Sequence, residues 1–354
     1  MNITSTMNIT KAEKSRINEV DFNNLTFGSV FTDHMFFCDY KDGAWQQPQI
    51  APYGPITIDP SAKVFHYGQA VFEGMKAFKD DAGATWLFRP EENWERINTS
   101  SERLAMPAFP KEFFFEGLKT LLDLDNDWIK SGDGNALYIR PFVIATQSGV
   151  SASPSDQYRF MIICAPAQAY YSEAVSVLFA EKFSRAADGG VGFAKAAGNY
   201  ASQFYPTNLA KEKGYQQIVW TDASSHEYLE EAGTMNVFFR VGDTLLTAPN
   251  NDRILDGITR KSIIQLAKDA GINVEVRRVS VSEIVIAAQS GELKEIFGAG
   301  TAAVVVPFKS FGYQDKDYDL SPVENSYASQ FKKALKDIQY NRAADLHGWR
   351  YEVK

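Results

Sequence analysis

Lys195 stands in the run Val191-Gly192-Phe193-Ala194-Lys195-Ala196-Ala197-Gly198-Asn199-Tyr200, among small and apolar neighbours with no second charge. A lysine is ordinarily a solvated surface residue. Desolvation disfavours an ammonium and frees the amine to attack a carbonyl carbon, which is what Schiff-base chemistry with an aldehyde cofactor requires. Glu230 and Glu231 follow in Glu230-Glu231-Ala232-Gly233-Thr234-Met235-Asn236, where two carboxylates and a glycine turn run straight into an apolar strand. A solvated turn accounts for Glu230. A carboxylate against a pyridine nitrogen keeps that nitrogen protonated and the ring an electron sink, and one of this pair could supply it.

Elements suited to an anion recur. Gly257-Ile258-Thr259 opens a helix whose first N–H groups and dipole could hold a phosphate. Gly300-Thr301-Ala302 forms a tight turn that could add N–H donors and a hydroxyl. Plain capping is the commoner reason for a glycine before a helix. Arg96 is a candidate partner for a dianion, or an exposed helix arginine. Arg140 closes the apolar run Leu137-Tyr138-Ile139-Arg140, where a guanidinium is costly unless it is paired or binds a carboxylate.

The elements that must position these residues read as a mixed α/β or α+β chain. A chain of 354 residues, 45% of them hydrophobic, can bury a sizeable core and suits two domains better than one. The pattern predicts order from about Leu25, an amphipathic helix after Pro90 with Trp94, Ile97, Ser101 and Leu104 on one stripe, and a second helix over 111–129. Strands are predicted over 136–146 and 158–164, followed by a small-residue crossing, so that a smaller N-terminal α/β domain spans 1–165, an interdomain loop 166–174 and a larger C-terminal α/β domain 175–354. In the second half, strands are predicted over 175–180, 217–221 and 272–279. Helices are expected near Asn199 (kinked at Pro206) and over 258–270 and 281–289. A Gly298-Ala299-Gly300-Thr301 turn and a last helix ending near Ala344 complete the reading.

Other classes lose ground on what the sequence lacks. It has no Walker loop, no Gly-x-Gly-x-x-Gly, no His-Glu-x-x-His and no Gly-x-Ser-x-Gly, and its 4 histidines show no metal-ligand spacing. The 2 cysteines, Cys38 and Cys164, lie far apart in apolar stretches and read as reduced core residues. A net charge of -8 with interspersed signs argues against nucleic acid or an anionic membrane as partner. No apolar run reaches the ~20 residues of a membrane span, and the opening residues lack the order of a secretory signal, so a cytoplasmic location is expected.

As a set, His66-Tyr67-Gly68, Phe72-Glu73-Gly74-Met75-Lys76-Ala77-Phe78, the stretch from Lys195 to Tyr200, Glu231-Ala232-Gly233-Thr234-Met235-Asn236 and Phe297-Gly298-Ala299-Gly300-Thr301-Ala302 follow one another as in the branched-chain amino-acid aminotransferases. The sequence resembles the longer, eukaryote-like branch of that family from about Phe27 to Arg342. The resemblance implies a two-domain, fold-type-IV pyridoxal 5'-phosphate enzyme of the D-amino-acid aminotransferase-like class, working as a homodimer. It further implies transfer of the amino group of L-leucine, L-isoleucine or L-valine to 2-oxoglutarate in a ping-pong cycle. On it, Lys195 matches the Schiff-base lysine, Glu231 the carboxylate on the pyridine nitrogen and Tyr200 the hydroxyl beside the phenolic oxygen, while Arg96, Ile258, Thr259 and Thr301 match the phosphate cup. Tyr67, Tyr200, Thr301 and Ala302 match groups that hold the α-carboxylate, Arg140 a residue that orients that wall and meets the second carboxylate of glutamate, and Phe72, Tyr138 and Tyr170 the side-chain pocket. The loop around Val150 departs from the family's pattern. The relatives' Cys-x-x-Cys positions here are Ala303 and Val306, so no thiol switch is expected there. A D-amino-acid transaminase, an aminodeoxychorismate lyase, or a non-catalytic protein that binds the same cofactor would share the lysine and the glutamate.

Overall fold

The computed structural model describes residues 7–168 and 173–353, which fall into two compact units, each built on its own sheet. The first unit takes in the described residues up to 168 together with 194–197 and 338–353. Its sheet centres on Ala136–Ala145 and Tyr158–Ala167, which pair antiparallel along their full lengths from Ala136↔Ala167 to Ala145↔Tyr158. His34–Lys41 and Gln49–Pro52 extend it on one side, and Met75–Lys79, Thr85–Phe88 and Arg350–Val353 on the other. Ala165, Pro166 and Ala167 therefore belong to a strand and not to an interdomain crossing, because their backbones are held by Tyr138, Leu137 and Ala136.

Two helices pack on this sheet. Pro90 opens Pro90–Arg103 with Glu91 and Glu92 in its first turn, where a fixed φ and negative charge suit a helix start. Lys111–Leu124 buries Phe114, Leu118 and Leu121 along one face, and the following turn, Asn126–Trp128, is a separate 3₁₀ segment, so the second helix is shorter than its apolar pattern suggests. The core includes Phe36, Phe109 and Phe160, the last two stacked with centroids 3.7 Å apart. Order starts well before Leu25. Asn8–Ile9 pairs with the strand at Ile50, while Asp33 accepts from Ser15 Oγ at 2.5 Å and from Arg16 N at 2.9 Å.

The second unit covers the described residues 173–193 and 198–337. Its sheet runs in the order Val274–Val276, Thr244–Thr247, Asn236–Val241, Leu293–Gly300, Val304–Tyr313, Val175–Phe179, Gln217–Thr221, Tyr228–Ala232, Val279–Ser280. The helices Ile258–Asp269 and Val281–Ser290 follow the predicted ranges closely. Pro206 does not kink a helix: the chain breaks after Ala201, and Pro206 sits in the first turn of Phe204–Glu212, where its missing N–H costs nothing. The predicted strand over 272–279 is two short ones. Gly298 to Gly300 extend a strand, and the turn starts only at Thr301. The last helix, Tyr327–Gln339, stops short of Ala344, and the chain continues into the strand Arg350–Val353, which pairs with Thr85–Phe88 in the first sheet. That pairing, and the bridge from Ala196 to Val71, bring 338–353 and 194–197 into the first unit, although sequence patterning assigns both to the second domain. Among the described residues no helix is long and apolar enough to cross a membrane.

The packing of the first unit can be probed at one glycine and at both thiols. A Cβ at Gly117 would overlap the ring of Phe36, itself wholly buried, so Gly117→Ala should cost about 1–3 kcal/mol in denaturant unfolding with an unchanged slope. Burial pushes the Cys38 thiol up to about 12 and raises Cys164 as well. Neither should react with a thiol reagent at pH near 8 until the protein is unfolded, when both should titrate.

Candidate active site

In the first unit, Lys195 is pinned by its backbone on both sides. Its N–H donates to Ser100 Oγ at 2.9 Å, and its carbonyl accepts from Phe72 N–H at 3.1 Å. Ser100 is fully buried on the helix Pro90–Arg103. The half-buried side chain of Lys195 carries Nζ 4.6 Å from the centroid of the Phe72 ring.

Glu73, the neighbour of Phe72, has no exposed surface. Arg96 grips it with two nitrogens, Nε to Oε1 at 2.6 Å and Nη2 to Oε2 at 2.9 Å, while Asn93 Nδ2 adds 2.7 Å and Gly74 N–H 3.1 Å to Oε2. Burial works to raise this carboxyl, but the Arg96 charge, its hydrogen bonds and the nearby Lys195 charge outweigh it and hold Glu73 below the ordinary carboxylate range. Arg96 is thus no exposed helix arginine. Two nitrogens of its fork are committed to a buried carboxylate.

Arg140 donates from Nη2 to the Tyr138 hydroxyl at 3.0 Å. Its guanidinium carbon lies 4.6 Å from the Phe72 centroid and 5.3 Å from that of Tyr138. Its Nε is buried without a hydrogen-bond partner among the described residues. Tyr138 packs against Gly74, where a Cβ would overlap its hydroxyl. The Tyr67 hydroxyl donates to the carbonyl of Val150. Tyr170 lies outside the described residues.

In the second unit, Glu231 is buried on the strand Tyr228–Ala232. Leu255 N–H donates to Oε1 at 3.1 Å and Asn236 Nδ2 to Oε2 at 3.2 Å, and the buried Arg185 places Nη1 2.7 Å from Oε1. Strand alternation sends Glu230 to the other face, where it pairs with Arg253. There burial, with help from the charges of Asp222 and Glu231, pushes its carboxyl up to about 8. Glu230 is therefore buried and paired, not a solvated turn residue.

Asn236 also donates to Leu255 O at 3.0 Å, and a Cβ at Gly257 would overlap its Oδ1, so glycine is what lets the start of the helix Ile258–Asp269 come this close to the residue holding Glu231. That helix start has no side-chain cap, and Ile258 and Thr259 are buried beside it. Asn236 pairs with Ala299, two residues before Thr301 and three before Ala302. One unit thus assembles a fixed carboxylate, an uncapped helix N-terminus and the Thr301 turn. Tyr200 is half-buried on the short helix Ala197–Ala201.

The amino-transferase class IV family profile matches residues 70–311. The chain belongs to that family. This class IV chain is 43% identical over 338 residues to branched-chain-amino-acid aminotransferase 2 of Bacillus subtilis, covering 94% of itself and 93% of the relative, which places it among the branched-chain aminotransferases. Its fold is fold type IV: a branched-chain aminotransferase from Thermoproteus uzoniensis, solved with norvaline, superposes with a TM-score of 0.75 at 21% identity, covering 90% of this chain and 99% of that one. A second such enzyme, from Thermobaculum terrenum and solved in its PLP form, gives 0.74 at 21% identity, covering 90% and 98%.

Three residues of the class IV chain escape the sequence reading. Glu73 lies inside a recognisable motif but carries no role there, Asn236 likewise, and Arg185 sits in Ser184-Arg185-Ala186-Ala187 with no pattern to single it out. For Glu73 the pH dependence has a definite sign. Its folded carboxyl lies below the ordinary value of 4.5, so its contribution to stability is complete above that range and is lost as pH falls through the lower folded value. Glu73→Gln should cost about 3–5 kcal/mol at neutral pH, because it leaves the Arg96 guanidinium without its buried counter-charge. The variant should also show a flatter acid limb in a stability-against-pH series.

Proposed function

We propose that the chain is a branched-chain amino-acid transaminase that moves the amino group of L-leucine, L-isoleucine or L-valine reversibly to 2-oxoglutarate, using pyridoxal 5'-phosphate. The observation that carries this reading is the second-unit arrangement in which Arg185, Asn236 and Leu255 hold Glu231 as a carboxylate, with the uncapped start of the helix Ile258–Asp269 admitted beside Asn236 by Gly257. A fixed anion next to N–H donors at a helix start fits a protonated ring nitrogen and a phosphate, so the residues suit the cofactor. When bound, it supplies an electron sink and a carrier for the amino group.

The protein's own residues then divide the work. Lys195 would hold the cofactor and would move the proton at the substrate's α-carbon. Glu231 keeps the ring nitrogen protonated, and Tyr200 meets the phenolic oxygen. Arg96, Ile258, Thr259 and Thr301 take the phosphate, with Glu73 fixing the orientation of Arg96. Tyr67, Thr301 and Ala302 receive the α-carboxylate. Phe72, Tyr138 and Tyr170 receive the aliphatic side chain, and Arg140, whose buried Nε has no acceptor among the described residues, receives the second carboxylate of glutamate. A homodimer in the cytoplasm, acting on small-molecule substrates, completes the proposal.

Lys195→Ala should lower turnover by at least about 10⁴-fold, since covalent anchor and proton carrier are lost together. Borohydride reduction of the loaded wild type, followed by peptide mass mapping, should find the cofactor on Lys195. A cofactor mapped elsewhere, or an active alanine variant, would refute the assignment. Arg140→Met should raise KM for glutamate by about 10–100-fold, the worth of one charge-assisted hydrogen bond, while KM for leucine moves far less.

A further inference from the structure

Lys63 is a buried ammonium that makes no ion pair with a carboxylate among the described residues. It is 2% exposed, and Nζ donates to Ser153 O at 3.0 Å, Ser153 Oγ at 2.7 Å and Pro154 O at 3.0 Å. Removing an ammonium from water is expensive, and three neutral oxygens at close range answer all three of its donors. Those oxygens belong to the loop between the two central strands of the first sheet, far away in sequence. Lys63 is the first residue of the five-residue helix Lys63–Tyr67. Its last residue, Tyr67, donates to the carbonyl of Val150 in the same loop.

The two ends of one short helix thus clamp the two limbs of one loop. The backbone adds to the grip. Lys63 N–H donates to Gln147 O at 3.0 Å, Ala62 bridges Ser148, Gly149 N–H reaches Ser61 O at 3.0 Å, and Ser155 N–H donates to Gln69 Oε1 at 2.9 Å. Without Lys63 the limb at 151–154 would keep, among the described residues, bonds within itself: Ser153 N–H to Ser151 O at 2.9 Å and Ser151 Oγ to Ser153 Oγ at 3.5 Å. What the clamp presents is apolar and open: Phe65 is 60% exposed, Tyr67 43% and Val150 64%.

We propose that Lys63 is a positioning residue for substrate: its ammonium locks the 147–155 loop to the helix carrying Tyr67, so that Tyr67 and Val150 stand in one fixed arrangement. The inference rests on the reading of Tyr67 as a substrate contact. Lys63 itself touches neither substrate nor cofactor.

The test uses the cofactor-loaded enzyme, with Lys63→Met, Lys63→Arg, Ser153→Ala and Tyr67→Phe compared with wild type. In Lys63→Met, amides of residues 149–155 should exchange hydrogen about tenfold faster or more. KM for leucine and for 2-oxoglutarate should rise about tenfold, with kcat and cofactor affinity within about twofold, because ground-state placement is lost and chemistry is not. Lys63→Arg should restore both, and Ser153→Ala, which deletes one acceptor, should move both in the same direction by less, keeping the test open if Lys63→Met does not fold. A freed loop with unmoved KM, or a loop that stays protected, overturns the proposal. Tyr67→Phe separates the two ideas. An unchanged KM there refutes Tyr67 as a substrate contact, whereas a raised KM in Tyr67→Phe with an unmoved one in Lys63→Met refutes Lys63 alone.

Discussion

Burying a carboxylate is demanding, and among the described residues Glu73 is the one left with no exposed surface. An ionised oxygen pair cut off from water must be matched donor for donor, or it takes up a proton. Here Arg96, Asn93 and the Gly74 amide fill the lone pairs. Meeting that requirement orders much else. It fixes one face of the helix Pro90–Arg103, and with it Ser100, whose hydroxyl holds the backbone of Lys195. It also fixes the turn leading into Met75–Lys79, and the glycine there leaves room for the Tyr138 hydroxyl. The Lys195 backbone, the Arg96 guanidinium and the Tyr138 ring are thereby set by the solvation of one group none of them contains.

The second unit solves the same problem with different means and a different result. Glu231 is met by one guanidinium, one amide side chain and one backbone N–H. Because Asn236 is at once a hydrogen-bond partner of that carboxylate, a neighbour of Gly257 and a strand partner of Ala299, the positions of the carboxylate, the helix start and the Thr301 turn are not independent. Shifting one strand register would displace the carboxylate, the helix start and the Thr301 turn together. In both units the precision comes from packed secondary structure.

The sequence is most legible where chemistry and periodicity coincide. Lys195 and Glu231 stand out because charges are rare in such surroundings, and Ile258–Asp269 because glycine, first turn and apolar stripe agree. The ion pairs of Glu73 with Arg96 and of Arg185 with Glu231 are illegible because their members lie far apart in the chain, and no spacing rule joins residues that meet only through tertiary packing. The misplacements have similar causes. Ala165-Pro166-Ala167 looks like a crossing because small residues and proline carry a turn signal, yet ten consecutive antiparallel partners override it. Pro206 looks like a kink, but the helix has already broken. Asp33 and His34 hold the polar N-terminal segment in order, through contacts that composition does not reveal.

The edge strand Arg350–Val353 closes the first sheet from the far end of the chain, and Arg89 N–H adds a bond to Trp349 O at 2.7 Å beside it. The first unit is therefore not a contiguous stretch that could condense by itself and wait. Its sheet lacks that edge strand until the whole second unit has been traced out. Such long-range closure is slow to find and costly in chain entropy. A chain interrupted anywhere inside the second unit leaves the first with an unpaired strand edge, which invites aggregation.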